Sequence, residues 1–491
     1  MRKTTIPMTP EAAKAVSKLD ADGVWVVGGA VRDALAGDSH DRFDIDLAVG
    51  GAEAWTRRAS EALGARASRI SSHFNVWRIP LSDGQIDVWD LPDGDIERDL
   101  RRRDFIANAM AVPLSGFRSG RIAGSLIDPH GGRSDVASRT LRLVTHGALR
   151  DDPLRMLRAV RLEAEGGWRP DAELRAAIRR DAALIDRAAA ERRWDELRRI
   201  FESDRLPWAL RRLEQSGLLD RLFPELALGR GVDQRPVHRR DVFRHQLDSV
   251  RWIVRLTACD SPRSLRASAI RRELEPLLST PGIRSALDAW RVPLRLATLL
   301  HDIGKPGTRT VDADGSTHFY GHSELGAQMA RSRLVELRLP SGTISQVELL
   351  IEQHLRPGQV NAPGQMPTDR ALHRFHASLG KAVAPLCWLF LADSLATAGA
   401  DALLPRWPAY AARVARIVSW QPRVRTKTGV MLDGHAIMDV TGLAPGPLVG
   451  EIRAKIDEAA AIGEIGAVDE AREMAIRLAR EARETRASTT A

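Results

Sequence analysis

The chain has 491 residues, 44% of them hydrophobic and 28% charged, with a formal charge of +9. That length exceeds one ordinary domain and predicts three or four units. The balance is that of a soluble globular protein, not a disordered or membrane-embedded one. The positive excess, mostly arginine, favours a polyanionic partner because Arg and Lys displace counterions from phosphates.

Cys259 and Cys387 are the two cysteines. Two distant thiols give neither a disulfide framework nor a thiolate zinc cluster, which fits a reducing compartment. The N-terminal MRKTTIPMTPEAAKAV has basic residues with no apolar core behind them, and the longest apolar run, around 382–392, is far short of a membrane span. A cytoplasmic protein without a membrane partner is expected.

Residues 1 to about 145 read as mixed α/β. A short apolar strand at 24–27 ends in Gly28-Gly29, and a helix starts at 30–35. Residues 43–49 alternate, with Phe43, Ile45 and Leu47 on one face and Asp44 and Asp46 on the other. An amphipathic helix follows at 53–63, then strands at 75–81 and 85–89 joined by a Ser-Asp-Gly turn. From about 150 strand signals almost vanish. Helical periodicity marks 151–165, 171–188, 190–202 and 206–216. Pro224, Gly229, Gly231 and Pro236 mark a boundary, and a second helical block runs from about 241 to 420. Gln421-Pro422 and the basic stretch 423–427 read as a linker before a last segment, 429–485, with a Gly/Pro-rich turn and two helices. The tryptophans, Trp25, Trp55, Trp77 and Trp89 among them, read as core.

GGAVRD (28–33) followed by FDID (43–46) carries the sharpest chemistry. Two aspartates at i and i+2 on a strand project together, and like charges held that close call for a cation between them. Mg²⁺, a hard ion with oxygen ligands, suits such a pair. Two such ions can clamp the attacking hydroxyl and the leaving phosphate of an in-line displacement. Asp87, in QIDVWD, is placed to complete the site from a neighbouring strand. Gly28 and Gly29 let backbone N–H groups approach a triphosphate, and Arg32 is available to neutralise it.

These motifs, followed by RRDFIANAMAV (102–112), resemble the head domain of class II tRNA nucleotidyltransferases and bacterial poly(A) polymerases. DPHGG (128–132), DDPLRMLRAVR (151–161), ERRWDEL (191–197) and LAPGPLVG (443–450) are similar to later motifs of that family, in the same order. Two substitutions depart from its pattern: IAN stands before Ala109 where TxN is usual, and Asp151 stands where Glu is usual.

Asp152 and Arg155, three apart on an expected helix, are neighbours on its surface. A carboxylate accepts from the exocyclic amine of C or A, and a guanidinium donates to the ring acceptors beside it, so the pair can imitate a Watson–Crick edge. The resemblance implies that role. It also implies that Arg158 and Arg161 help hold the nucleotide and that Arg103 and Asn108 contact its sugar or phosphates. Only twelve residues (90–101) separate the Asp87 strand from RRDF. Family members that add all of CCA usually carry a longer flexible segment there, so the expectation drawn from its shortness is addition of CC, or of CC far better than A.

In the second helical block, His245, His301, Asp302, His322, His354 and Asp393 occur with LLHDIGK and FYGHSELGA, which look like the HD phosphohydrolase superfamily. His245, His301, Asp302 and Asp393 match its core ligands, and His322 and His354 the extra ligands of a two-metal site. The donor set suits Mn, Fe, Ni, Co or Mg. His238 reads as a loop residue or an additional ligand.

The resemblance implies four parts: a polymerase-beta-type α+β head with a mixed sheet (1–147), an all-α base-selecting neck (148–228), an HD-type helical body (229–425) and a helical, tRNA-binding tail (426–491). The implied reaction is transfer of C, and of A as an open alternative, from CTP or ATP to the tRNA 3′ end, with an HD phosphohydrolase beside it. A poly(A) polymerase, or an HD hydrolase whose head only recruits RNA, are the rival readings.

Overall fold

The computed structural model describes residues 10–38, 43–71, 75–82, 84–117, 122, 125–234, 240–258, 265–360, 365–424 and 431–490. His238, Cys259, Pro236, Asp83 of the Ser-Asp-Gly turn and 425–427 of the linker lie outside them. Two compact units result: 1–224 with 336–338, and 225–335 with 339–491.

The first unit opens on helix α1 (Pro10–Ser17) and is built on six strands: β1 (Val24–Val27), β2 (Phe43–Val49), β3 (Ser68–Ser71), β4 (Val76–Leu81), β5 (Gly84–Asp90) and β6 (Ala111–Pro113). Their order is β3-β4-β5-β2-β1-β6. β2 and β5 pair in parallel and every other pairing is antiparallel. The sheet is therefore mixed. The period-2 pattern of β2 buries Ile45 and Leu47 on one face, which commits Asp44 and Asp46 to the other. Helices α2 (Gly29–Ala36) and α3 (Ala52–Leu63) contact the strands of the sheet. β3 and β6 are short and lack a clear alternation, which is why the sequence reading missed them.

After α4 (Ile96–Leu100) and α5 (Gly132–Ser138) the chain turns helical: α6 (Ala148–Asp151), α7 (Arg155–Gly166), α8 (Ala172–Asp181), α9 (Ala190–Glu202) and α10 (Leu206–Gln215). The single helix expected over 151–165 is interrupted. Pro153 biases the residue before it away from the helical region, and Asp152 sits at φ −142°, ψ 99° between α6 and α7.

In the second unit, helices Val242–Thr257, Arg291–Leu300 and Val383–Ala398 pack on one another. The stretch Asp369–Ala398 is apolar enough by composition to cross a membrane, yet 67% of its most apolar window is buried inside the protein, as core helices are. Three helices, not two, occupy the last segment: Gly434–Thr441, Pro447–Ile462 and Val468–Thr490. They share a core around Ile437, Ile452 and Ile456.

Candidate functional site

At the end of β1, Gly28 adopts φ 73°, a left-handed conformation that costs glycine little. A Cβ there would lie 2.9 Å from Asp46 Oδ2 and 3.3 Å from Arg103 Nη1. The turn thus lies against the Asp46 carboxylate. The β2/β5 register sets Asp44 beside Gln85 and Asp46 beside Asp87, so all three acids share one face. Gln85 donates to Asp44 Oδ1 (3.2 Å) and the Trp89 indole N–H to Asp46 Oδ1 (3.3 Å).

Loss of solvent and the Asp87 charge raise the Asp44 carboxyl, against Gln85 and Arg78. Burial raises Asp46 to about 6. Arg103 pulls it down, while Asp44 and Asp87 push it up. Acids that resist ionising together are the chemical signature of a cation site, and an all-oxygen donor set fits Mg²⁺.

Asp87 is nearby, but Arg78 grips it through two bonds of 2.8 Å each. It is therefore an ion-paired third acid rather than a free one. Arg103 is held by Asp99 and lies 5.7 Å from the Trp89 ring centroid. Trp89, expected as core, is half-buried and part of the site.

Arg32, Asn108 and Arg161, expected to meet the nucleotide, lie inside the protein. Arg32 and Asn108 hydrogen-bond within the protein, and Arg161 is ion-paired, because a guanidinium or amide out of water requires partners. Arg32 forks onto Asp33 and donates to Asn108 Oδ1 (2.8 Å), while Asn108 donates to Asp104 (2.9 Å). Arg161 pairs with Glu196 at 3.0 Å, and burial lowers it to about 10. Arg158 lies 2.8 Å from Asp104, holding that acid at about 2 against the effect of burial.

Asp152 and Arg155 are not successive positions of one helix. Asp152 leaves α6 and folds its Oδ1 onto Leu154 N (3.2 Å), while Arg155 opens α7. Arg192 donates to Asp152 Oδ2 (2.8 Å), and Arg155 donates to the Arg102 carbonyl (2.6 Å), which ties the start of α7 to the RRDF segment. Arg78, Gln85, Trp89 and Arg192 are the neighbours that sequence reading missed. The alternation of β4 and β5 carried a faint signal for the first three, since Arg78 faces Asp87 across the pairing.

The second unit brings all six expected ligands together. One ligand atom each from His245, His301 and Asp393 lies within 4.8 Å of the others, and the same holds for Asp302, His322 and His354. Asp302 bridges the groups: Oδ2 is 3.4 Å from His245 Nε2 and 3.3 Å from His301 Nε2, and Oδ1 is 3.5 Å from His322 Nε2. His301, His322 and His354 turn Nδ1 onto the carbonyls of Thr298, Phe319 and Ile351 at 2.9, 2.7 and 2.6 Å. A donor N–H there leaves each Nε2 lone pair facing inward. Nε2 atoms of His245 and His301 approach to 3.3 Å, and those of His322 and His354 to 3.4 Å. Facing lone pairs at that distance, in a pocket with two carboxylates, suit bound cations. Against burial, Asp302 and Asp393 raise His301 to about 10, whereas burial lowers His354 to about 4. Lys305 Nζ lies 2.7 Å from Asp302 Oδ2 and donates to Gln234 Oε1 (2.6 Å).

A family model described as the probable RNA- and SrmB-binding site of polymerase A matches residues 167–228, and the HD domain model matches 269–397, leaving His245 outside it. Two solved structures have the same fold. The Bacillus stearothermophilus CCA-adding enzyme in complex with CTP has a TM-score of 0.56 at 23% identity, covering 98% of this chain and all of that one. The Thermotoga maritima CCA-adding enzyme complexed with tRNA has 0.53 at 21%, covering 96% of each. An A-adding tRNA nucleotidyltransferase of Deinococcus radiodurans is 33% identical over 94% of this chain and 96% of its own. A CC-adding tRNA nucleotidyltransferase of Thermus thermophilus is 31% identical over 91% of each. Likeness of that extent, on a chain whose head gathers three carboxylates beside a glycine turn and whose helical part gathers six metal-type ligands, places this protein in the tRNA nucleotidyltransferase family.

Proposed function

We propose that this protein adds C, up to CC, to the 3′ end of tRNA, taking CTP and holding Mg²⁺ between Asp44 and Asp46. The observation that carries this reading is the shared face of β2 and β5, where Asp44 stands with Asp46, and Asp46 lies beside Gly28 and Arg103. Bound there, Mg²⁺ would lower the pKa of the RNA 3′-hydroxyl and neutralise charge on the triphosphate. Trp89 and Gln85 orient the two carboxylates. Arg103 supplies positive charge next to Asp46. Asp152 and Arg155, fixed by Arg192 and the Arg102 carbonyl, offer an acceptor and donors for a base edge. Asp152 retains acceptor capacity beyond its two bonds.

The restriction to C is supported by the shortness of 90–101, which folds into a 3₁₀ turn and α4, with Leu91, Ile96 and Leu100 buried. Such a packed segment has little freedom to reshape the pocket between C and A. Addition of A to ends already carrying CC is the second reading, favoured by the 33% identity to an A-adding relative. Incubating tRNAs ending at the discriminator base, at C and at CC with CTP, ATP or both separates these. Efficient single-A addition to CC ends would overturn the restriction. A long tail from ATP alone on generic RNA would point to poly(A) synthesis.

We further propose that the His/Asp cluster holds two divalent ions and hydrolyses phosphate esters at RNA ends, in the cytoplasm, where the free thiol of Cys387 fits. We divide the chain into head, neck, body and tail at 147, 228 and 425, the second boundary four residues past the end of the first compact unit's main segment at Pro224. Protein stripped of metal and then given Mn, Ni or Co should gain phosphatase or 2′,3′-cyclic phosphodiesterase activity. No gain with any of the three would remove the hydrolase reading.

A further inference from the structure

The six ligand-type side chains of the second unit are not equally hidden. Those of His245, His301, Asp302 and His354 are 1% exposed, while His322 stands at 10% and Asp393 at 19%. Solvent therefore reaches the cluster on the side of His322 and Asp393. His322 closes a β-turn: its backbone N–H donates to the Phe319 carbonyl (3.2 Å), and Gly321 takes φ 76° in the third place. That turn seats two side chains. The Phe319 carbonyl also accepts from His322 Nδ1 (2.7 Å), which aims Nε2 at the cluster, and Tyr320 occupies the second place of the turn. Two residues of chain reach about 7 Å at most, so the Cα atoms of Tyr320 and His322 lie within that distance.

Tyr320 is 78% exposed, more than any other large apolar side chain among the described residues. It is not loose. Its ring stacks on His318, with centroids 5.2 Å apart and planes at 8°. His318 Nε2 lies 2.9 Å from Asp312 Oδ2, so a proton there leaves Nδ1 to accept from the Tyr320 hydroxyl at 3.4 Å. The antiparallel pairing of Thr310–Val311 with Thr317–His318 fixes this hairpin. Leu355, also exposed, follows His354, whose Nε2 is 3.4 Å from that of His322. Both imidazoles of the second ligand group thus have an exposed apolar side chain close by in the chain. An aromatic ring held from one side and left in water is a preorganised surface for another flat ring.

We propose that Tyr320 is the base-stacking platform of the His/Asp centre, receiving the terminal nucleobase of an RNA 3′ end whose phosphate or 2′,3′-cyclic phosphate meets the cluster. The inference rests on the hydrolase reading and deepens it: the substrate is a nucleotide selected by its base face, not any small phosphate ester. Every base has a face to stack, and purines cover more of the tyrosine than pyrimidines. In the cyclic case water attacks phosphorus, one P–O bond to the ribose breaks, and that ribose oxygen takes the proton. The base has no part in this step, so Tyr320 governs affinity.

The test uses the full-length protein loaded with Mn²⁺ and a short RNA ending in 8-azidoadenosine 3′-methylenephosphonate, whose P–C bond resists hydrolysis. Irradiation followed by peptide mass spectrometry should find a crosslink to the turn at Tyr320, retained in Tyr320→Trp and weakened about tenfold or more in Tyr320→Ala. With adenosine 2′,3′-cyclic phosphate as substrate, Tyr320→Ala should raise KM about tenfold and change kcat by less than about twofold. Its preference for that nucleotide over glycerol 1,2-cyclic phosphate should fall about tenfold, and Tyr320→Trp should restore it. An unchanged crosslink and KM in Tyr320→Ala, or equal losses toward both esters, overturns the platform. Crosslinking at Tyr320 without hydrolysis under Mn, Ni or Co would remove the hydrolase reading and leave the platform standing. Hydrolysis without that crosslink would do the reverse.

Discussion

Asp46 and Asp104 sit in one unit with opposite electrostatics. Asp46 is raised to about 6 by burial among other acids, so its ionised form destabilises the fold that holds it. Asp44→Ala and Asp46→Ala should therefore cut CTP incorporation by about 10³-fold or more, roughly 4 kcal/mol of barrier. The melting temperature should stay unchanged or rise, because function and stability pull apart at such a site. Near-normal incorporation by either variant would remove the metal assignment.

Asp104 is the reverse case. Its folded pKa of about 2 lies below the ordinary 3.8, so its contribution is complete above pH 3.8 and is lost as pH falls through 2. That contribution is about 2 kcal/mol. Urea unfolding of wild type and Asp104→Asn at pH 7 and pH 3 should show about half of it lost at pH 3, which lies between the two values. Arg158→Met, which leaves Asp104 with the Asn108 amide and the Phe105 N–H as donors, should cost about 1–3 kcal/mol at pH 7. A loss under 1 kcal/mol would show that Asp104 finds another partner.

Between elements, two glycines control how closely segments approach. Gly28 is constrained twice, by φ 73° and by Asp46 Oδ2 at 2.9 Å from any added Cβ. Gly28→Ala should lower stability by about 1–2 kcal/mol and displace the carboxylate, so transfer should fall far more than stability. Equal incorporation by the variant would separate the turn from the chemistry. Gly304 has an ordinary φ but no room: an added Cβ would lie 2.2 Å from the His322 carbonyl and 2.7 Å from Gly326 N. Backbone cannot yield there cheaply. Gly304→Ala should push helix His322–Glu336 away from the HD segment and lower bound metal, read by elemental analysis of purified protein. Metal content equal to wild type would show that the centre tolerates the shift.

At the scale of the molecule, the two candidate centres belong to different compact units and use different donors, carboxylates in one and mostly imidazoles in the other. An ion that binds only the folded state stabilises it by mass action. Mn²⁺ should raise the thermal transition of the wild type, His301→Ala should abolish that rise, and CTP incorporation with Mg²⁺ should persist in the variant. Loss of incorporation in His301→Ala would tie the centres together and count against separate sites.

The sequence alone determined what depends on local pattern. The alternation of 43–49 announced a strand with Asp44 and Asp46 on its polar face, and apolar periodicity marked the helices of both units. The resemblance of LLHDIGK and FYGHSELGA to the HD superfamily implied a ligand set of histidines and acids before any of them was seen in space. Only tertiary structure decided what long-range pairing controls. The β2/β5 register put Asp87 beside Asp46 and Arg78 across it, Pro153 split a helix that periodicity had joined, and burial turned Arg32, Asn108 and Arg161 inward to internal partners. A side chain's type and period are written locally. Which distant group neutralises it is fixed when the sheet and helices close around it, since burial makes every unpaired charge costly.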